Sequence, residues 1–221
     1  LTNMKRIAQL FLLATLVLAV PVSSTMAAKD PAKKAKKEIK KKAAKDARKE
    51  GKRLKRKGWY VAPGALPLDK QVEKAWQRQY EEDENGYPQY IVATGNSVAE
   101  SQSAAKLQST ELAKLELAGL VQSNIAALIE NSVANNQLSR EEAASVTKTV
   151  AASKNVIAQE IGRVIVLFEI YREVGDSNIE SSVRVGYNSK LAHEAGIKAI
   201  KKNLEEETER LHQKLDKLLD F

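Results

Sequence analysis

The chain has 221 residues, 36 Lys and Arg against 28 Asp and Glu for a formal charge of +8, and no cysteine. The missing thiol excludes disulfides and the lipid attachment of a bacterial lipoprotein. The positive balance is local: residues 29–57 carry a net +12 and the first 28 residues a further +2, so the remainder, from residue 58 onward, is mildly acidic at −6.

Residues 1–28 carry a cationic start at Lys5 and Arg6, an apolar stretch from Ile7 to Val20, and Pro21 followed by small residues. That three-part pattern predicts a secretory signal peptide, cut after Ala27 or Ala28, with Met4 as the expected start. The stretch is shorter than the roughly 20 residues of a spanning helix. No second apolar segment approaches that length, so the expected product is exported, periplasmic or outer-membrane associated, and not integral.

Residues 29–58 form a basic arm of Lys, Arg and Ala whose only large aliphatics are Ile39 and Leu54. Alanines 35, 43 and 47 recur with Ile39 every four residues, which permits a helix; the low complexity equally permits disorder, and Gly51 and Gly58 are expected to fray a helix. The candidate anion-binding residues are Lys33, Lys34, Lys36, Lys37, Lys40, Lys41, Lys42 and Lys45, continuing with Arg48, Lys49, Lys52, Arg53, Lys55, Arg56 and Lys57. Near an anionic bilayer each lysine contributes about 1 kcal/mol within a Debye length. Two readings stand side by side: a tether to phospholipid or lipopolysaccharide phosphates, and a self-repelling spacer. Export and the absence of interleaved aromatics argue against nucleic acid.

Residues 59–87 supply a Pro- and Gly-bearing linker, then a helix from about Leu68 to Glu82 with Leu68, Val72, Trp76 and Tyr80 on one face. Asn85-Gly86 predicts a tight turn. Residues 88–221 read as one α+β domain. Tyr90–Thr94 predicts a strand closed by Gly95, and Asn96 or Ser97 the cap of a long helix with Ala105, Leu112, Ala113, Leu117, Leu120, Val121, Ile125 and Leu128 on its apolar face. Gly119 inside that helix predicts close approach to a strand. Ser139-x-x-Glu142 is a capping box opening a helix buried through Val146, Val150, Ile157 and Ile161. A strand follows with Val164, Val166, Phe168 and Ile170 on one face and Ile165, Leu167 and Tyr171 on the other. GDSN turns it into SSVRVGYN, completing a hairpin. Lys190–Leu219 predicts a last helix whose final turns are available to a partner, such as another copy of the chain.

No residue set here identifies a catalytic, cofactor or metal site. The two histidines, His193 and His212, are distant in sequence and expected to face solvent, and no phosphate-cradling loop or nucleophile motif occurs. A second functional reading is a small-ligand or glycan-processing pocket near Trp76, Tyr80, Glu81 and Tyr87.

The stretch YIVATGNSVAESQSAAKLQSTELAKLELAGLV, followed by VIVLFEIYREV and SSVRVGYNSK, resembles the domain of the twenty-kilodalton envelope lipoprotein family over roughly residues 88–200. The resemblance implies a small antiparallel sheet with helices on one face, an exported or outer-membrane setting, and no catalytic residues. The chain departs from that family at the anchor: it lacks the lipidated cysteine, and the basic arm stands where the tether would begin. The expectation is therefore a non-enzymatic envelope protein of α+β class, with about three antiparallel strands packed by long helices and held near an anionic surface by its arm.

Overall fold

The computed structural model describes residues 31–203 except 136 and 176, and also residue 213. The expected signal segment with Ala27 and Ala28, His212, and the expected continuation of the last helix beyond Asn203 lie outside these residues. The elements run α1 (Pro31–Arg56), α2 (Leu68–Gln79), β1 (Tyr90–Ala99), α3 (Gln102–Ala134), α4 (Arg140–Ala152), α5 (Lys154–Glu160), β2 (Ile165–Val174), β3 (Asn178–Asn188) and α6 (Ser189–Asn203). The fold is α+β, with one three-stranded antiparallel sheet in the order β1-β3-β2.

Helices cover both faces of this sheet, not one. Alternation along β3 sends Val183, Val185 and Tyr187 to one side, where they meet Ile91 and Ala93 of β1, the Ala113-Leu117-Val121-Ile125 stripe of α3, and residues of α4, α5 and α6. The other side carries Val92, Phe168 and Ile170 against Leu68, Val72 and Ala75 of α2 and Ala47 of α1. Each fully buried Leu, Ile or Val contributes about 1.5–3 kcal/mol by leaving water.

The arm is a helix, and it belongs to the second core. Ala47 is fully buried, Gly51 is buried, and Ala44, Glu50 and Leu54 are half-buried, which together form one helical seam. Small residues can make a core contact when another backbone comes close, so an arm with only two large aliphatics still has a face to bury, and of the two states its composition permits the structure shows the helix. Gly51 is the crossing point with α2: a Cβ there would stand 2.9 Å from the Asp69 Cβ and 3.0 Å from its Cα. Gly58 ends the helix in a left-handed conformation, φ 82°. Its amide donates to the Lys55 carbonyl and the Trp59 amide to the Leu54 carbonyl, at 3.0 and 3.1 Å. This is a Schellman ending, with its usual apolar contact supplied by Trp59 and Leu54.

Strand β1 runs past Gly95 to Ala99, in register with β3 from Tyr90↔Asn188 to Ala99↔Ile179. Gly95 does not end the strand; it lets α3 lie on it. A Cβ at 95 would be 2.0 Å from the Ser109 carbonyl oxygen and 2.4 Å from the Ala113 amide nitrogen. The cap of α3 is accordingly later than expected, at Ser101, whose hydroxyl accepts from the Ala104 amide at 3.3 Å. Gly119 faces the Lys154 side chain instead of a strand. On α3 the buried face turns through Ala105, Ser109, Ala113, Leu117, Val121 and Ile125, leaving Leu112 and Leu120 partly exposed. By length and composition α3 could cross a membrane, contrary to expectation, although its inner side is occupied by the sheet.

The capping box forms as expected: the Ser139 hydroxyl accepts from the Glu142 amide at 3.2 Å, and the Ser139 amide donates to Glu142 Oε2 at 2.9 Å. Val146, Val150, Ile157 and Ile161 are all buried, yet the helix breaks at Ser153 into α4 and α5. Gln122 donates to the Val150 and Ala151 carbonyls at the break, where the Val150 carbonyl also accepts from the Ser153 amide at 3.0 Å. In β2 the expected alternation is interrupted by a bulge: Val166 opposes Val185, and Phe168 opposes Arg184, with Leu167 extra. Leu167 and Phe168 therefore both enter the α2-side core, while Ile165 and Val166 are exposed.

Candidate functional site

Two features of the α1–α2 side stand out. The first is the outer surface of α1. Lys41, Lys42, Lys45, Arg48, Lys49, Lys52, Arg53, Lys55 and Arg56 of α1 and Lys57 just after it are all exposed, with Lys45, Lys49, Lys52 and Arg56 on the side away from the docking seam and Arg53 at the edge of the cleft described next. Only two of them are neutralised among the described residues, by the Lys49–Asp46 and Arg53–Glu50 pairs at 3.4 and 2.6 Å. Lys33, Lys34, Lys36, Lys37 and Lys40 lie on earlier turns of the same helix, with side chains outside the described ones. The structure thus gathers the cations as a row on a fixed helix.

The second is a cleft between α1, α2 and the sheet, of about 370 Å³. Leu54, Trp59, Val72, Trp76, Phe168 and Ile170 supply apolar walls, and Glu50, Arg53, Ser182 and Arg184 the polar ones. Trp59 is held from behind by the Arg172 guanidinium, 4.9 Å from its ring centroid, and Arg172 is itself held by Glu180 at 2.5 Å. Arg184 is half-buried at mid-strand in β3. Its Nε donates to Thr94 Oγ1 at 3.0 Å, and its guanidinium lies 5.8 Å from the Phe168 ring centroid. It has no ion pair among the described residues, and burial lowers its pKa from the usual arginine value. Nothing in the sequence marks Arg184, which there looks like the polar half of an alternating strand.

The acidic and aromatic pocket expected around Trp76, Tyr80, Glu81 and Tyr87 does not form. Helix α2 ends at Gln79, so Tyr80 leaves the stripe and is 72% exposed, and Tyr87 is 69% exposed. Glu81 is taken by Arg78 at 2.6 Å, and Asp83 accepts from the Asn85 and Tyr87 amides in the turn at Gly86. Of the four residues Trp76 lines the cleft between α1, α2 and the sheet, whose charged groups are two guanidiniums, Arg53 and Arg184, and the Glu50 carboxylate.

His193 is half-buried rather than solvent-facing, and burial lowers its pKa. Beneath α3, the Tyr171 hydroxyl donates to Glu169 at 2.5 Å, and Lys106 pairs with the second carboxylate oxygen at 3.0 Å. Burial and this acceptor push the Tyr171 phenol well above its ordinary value, so it stays protonated as a structural donor. No group of three or more His, Cys, Asp or Glu able to hold a metal ion occurs among the described residues.

No protein-family model matches the chain, and neither a curated protein nor a solved structure is significantly similar to it.

Proposed function

We propose that this is a non-enzymatic protein of the bacterial cell envelope, in which α1 holds an α+β interaction domain against an anionic surface. The observation that carries the reading is the division of α1 into an inner seam of Ala47, Gly51 and Leu54 and an outer set of exposed cations, of which Lys49 and Arg53 are paired with acids among the described residues. A flexible tether needs no seam. A helix bound along one side and cationic along the other presents its charges at fixed spacing and orients the domain on the surface. Phospholipid and lipopolysaccharide phosphates are the available polyanions after export, which the leader pattern at residues 1–28 supports. The likeness to the envelope lipoprotein domain agrees with this setting, with α1 standing where the lipid would anchor.

Deleting residues 29–57 would also strip Ala47 and Leu54 from the second core, so charge reversal on the outer row is the cleaner test. Lys45→Glu, Lys52→Glu and Arg56→Glu, combined, alter one exposed stripe and leave the seam intact. Co-sedimentation of the full mature chain with phosphatidylglycerol vesicles is expected at about 0.1 M salt, with release at about 1 M, where the Debye length falls to about 3 Å. The triple variant should stay in the supernatant at both. Wild-type binding to neutral phosphatidylcholine vesicles of equal strength, or retention of the triple variant, would sink the proposal.

A further inference from the structure

The α1–α2 cleft has properties that surface attachment does not use. A half-buried guanidinium is normally matched by a carboxylate, because an unpaired ion out of water is costly. Among the described residues Arg184 has Thr94 on its Nε and no carboxylate within bonding distance; Glu50, which shares the cleft, acts on it through its charge without a hydrogen bond, so the terminal guanidinium nitrogens stand as donors beside a cavity. The acid that shares the cleft, Glu50, is engaged by Arg53. With two guanidinium groups and one carboxylate, the cleft carries a net +1, which suits a monoanion better than a phosphate dianion. The neighbouring walls are flat and apolar: Trp59, Trp76 and Phe168. Its volume is within the range of small-ligand sites.

We propose that this cleft binds a small organic carboxylate with a planar apolar body, its carboxylate on Arg184 and its body between Trp59 and Trp76. Ser182, on the same wall, offers a hydroxyl to the second carboxylate oxygen. The geometry follows the usual division of a ligand site, with apolar walls giving affinity and few polar groups fixing orientation. Since α1 contributes Glu50, Arg53 and Leu54, the occupant bridges the arm helix to the sheet. The proposal does not depend on the surface-binding reading and can fail separately from it.

The chain has two tryptophans, and both line the cleft, so intrinsic fluorescence reports on it directly. Phenylacetate is the probe, and phenylacetamide, equal in shape and neutral, is its control. Titration of the full mature chain with phenylacetate should give a saturable change in tryptophan emission. Affinity should be about tenfold above that of the amide, as expected for a charge-assisted hydrogen bond. Arg184→Gln should abolish the difference, with circular dichroism showing that the fold is kept. If that variant does not fold, the acid and amide comparison on the wild type still decides. A response to the amide equal to that of the acid overturns the proposal, as does no saturable response up to about 10 mM, the range a ten-atom fragment reaches. An Arg184→Gln protein that still prefers the acid overturns it as well.

Discussion

A methyl group at position 95 has nowhere to go. The contacts it would make are with the Ser109 carbonyl oxygen and the Ala113 amide nitrogen, both backbone atoms that cannot rotate aside. Gly95→Ala must therefore lift α3 off β1, and we expect it to cost about 3 kcal/mol, the upper end for overpacking, seen as a lower urea midpoint at unchanged slope. An unchanged midpoint would mean that α3 does not rest on this glycine. His193 is a different kind of constraint. Burial lowers its folded pKa, so the unfolded chain takes up a proton more readily, and stability falls as pH drops below about 6.5. His193→Gln removes that contribution, and its stability should vary less than that of the wild type between about pH 7 and 5; parallel curves would show that the imidazole titrates alike in both states.

At the scale of elements, glycine proved the hardest residue to read. The Ser139 capping box is local, because the groups it satisfies are a few residues away, and it was legible; Gly58, expected to fray the helix, instead closes it in an ordered left-handed turn. Gly95 and Gly51 serve contacts with distant backbone, and a one-dimensional reading takes each for a terminator or a source of fraying. The bulge at Leu167 was hidden for a similar reason: VIVLF is apolar throughout, so alternation cannot show where a residue is inserted. Among candidate site residues the lysines of the arm were legible from composition, whereas the cleft was not, since Arg184 acquires its neighbours only when α1 and α2 fold over the sheet. The docking of α1 can be tested where it is tightest. Gly51→Val should raise hydrogen exchange across α1 while leaving the β1 and β3 amides protected, because the clash with Asp69 is confined to the α1–α2 crossing. Equal loss of protection in the sheet would show that the arm helix is part of one indivisible core.

For the molecule as a whole, the two faces of the sheet are unequal. Among the described residues, the α3 side buries nineteen in one apolar cluster, against seven on the α1–α2 side. The larger side gives the domain most of its cohesion, and the smaller one holds both candidate sites, which puts the proposed binding where opening is cheapest. The strand order has its own outcome for how the structure is reached. β3 is the central strand, yet it is the last of the three in the chain, and β1 and β2 pair with it alone. Thr94 meets Arg184 across a sequence separation of 90. A chain delivered N-terminus first would hold β1 without a hydrogen-bonding partner until β3 had emerged. Completion of the sheet is then a late event, timed by the arrival of residue 188, and until that moment the edge of β1 has only α3 to cover it.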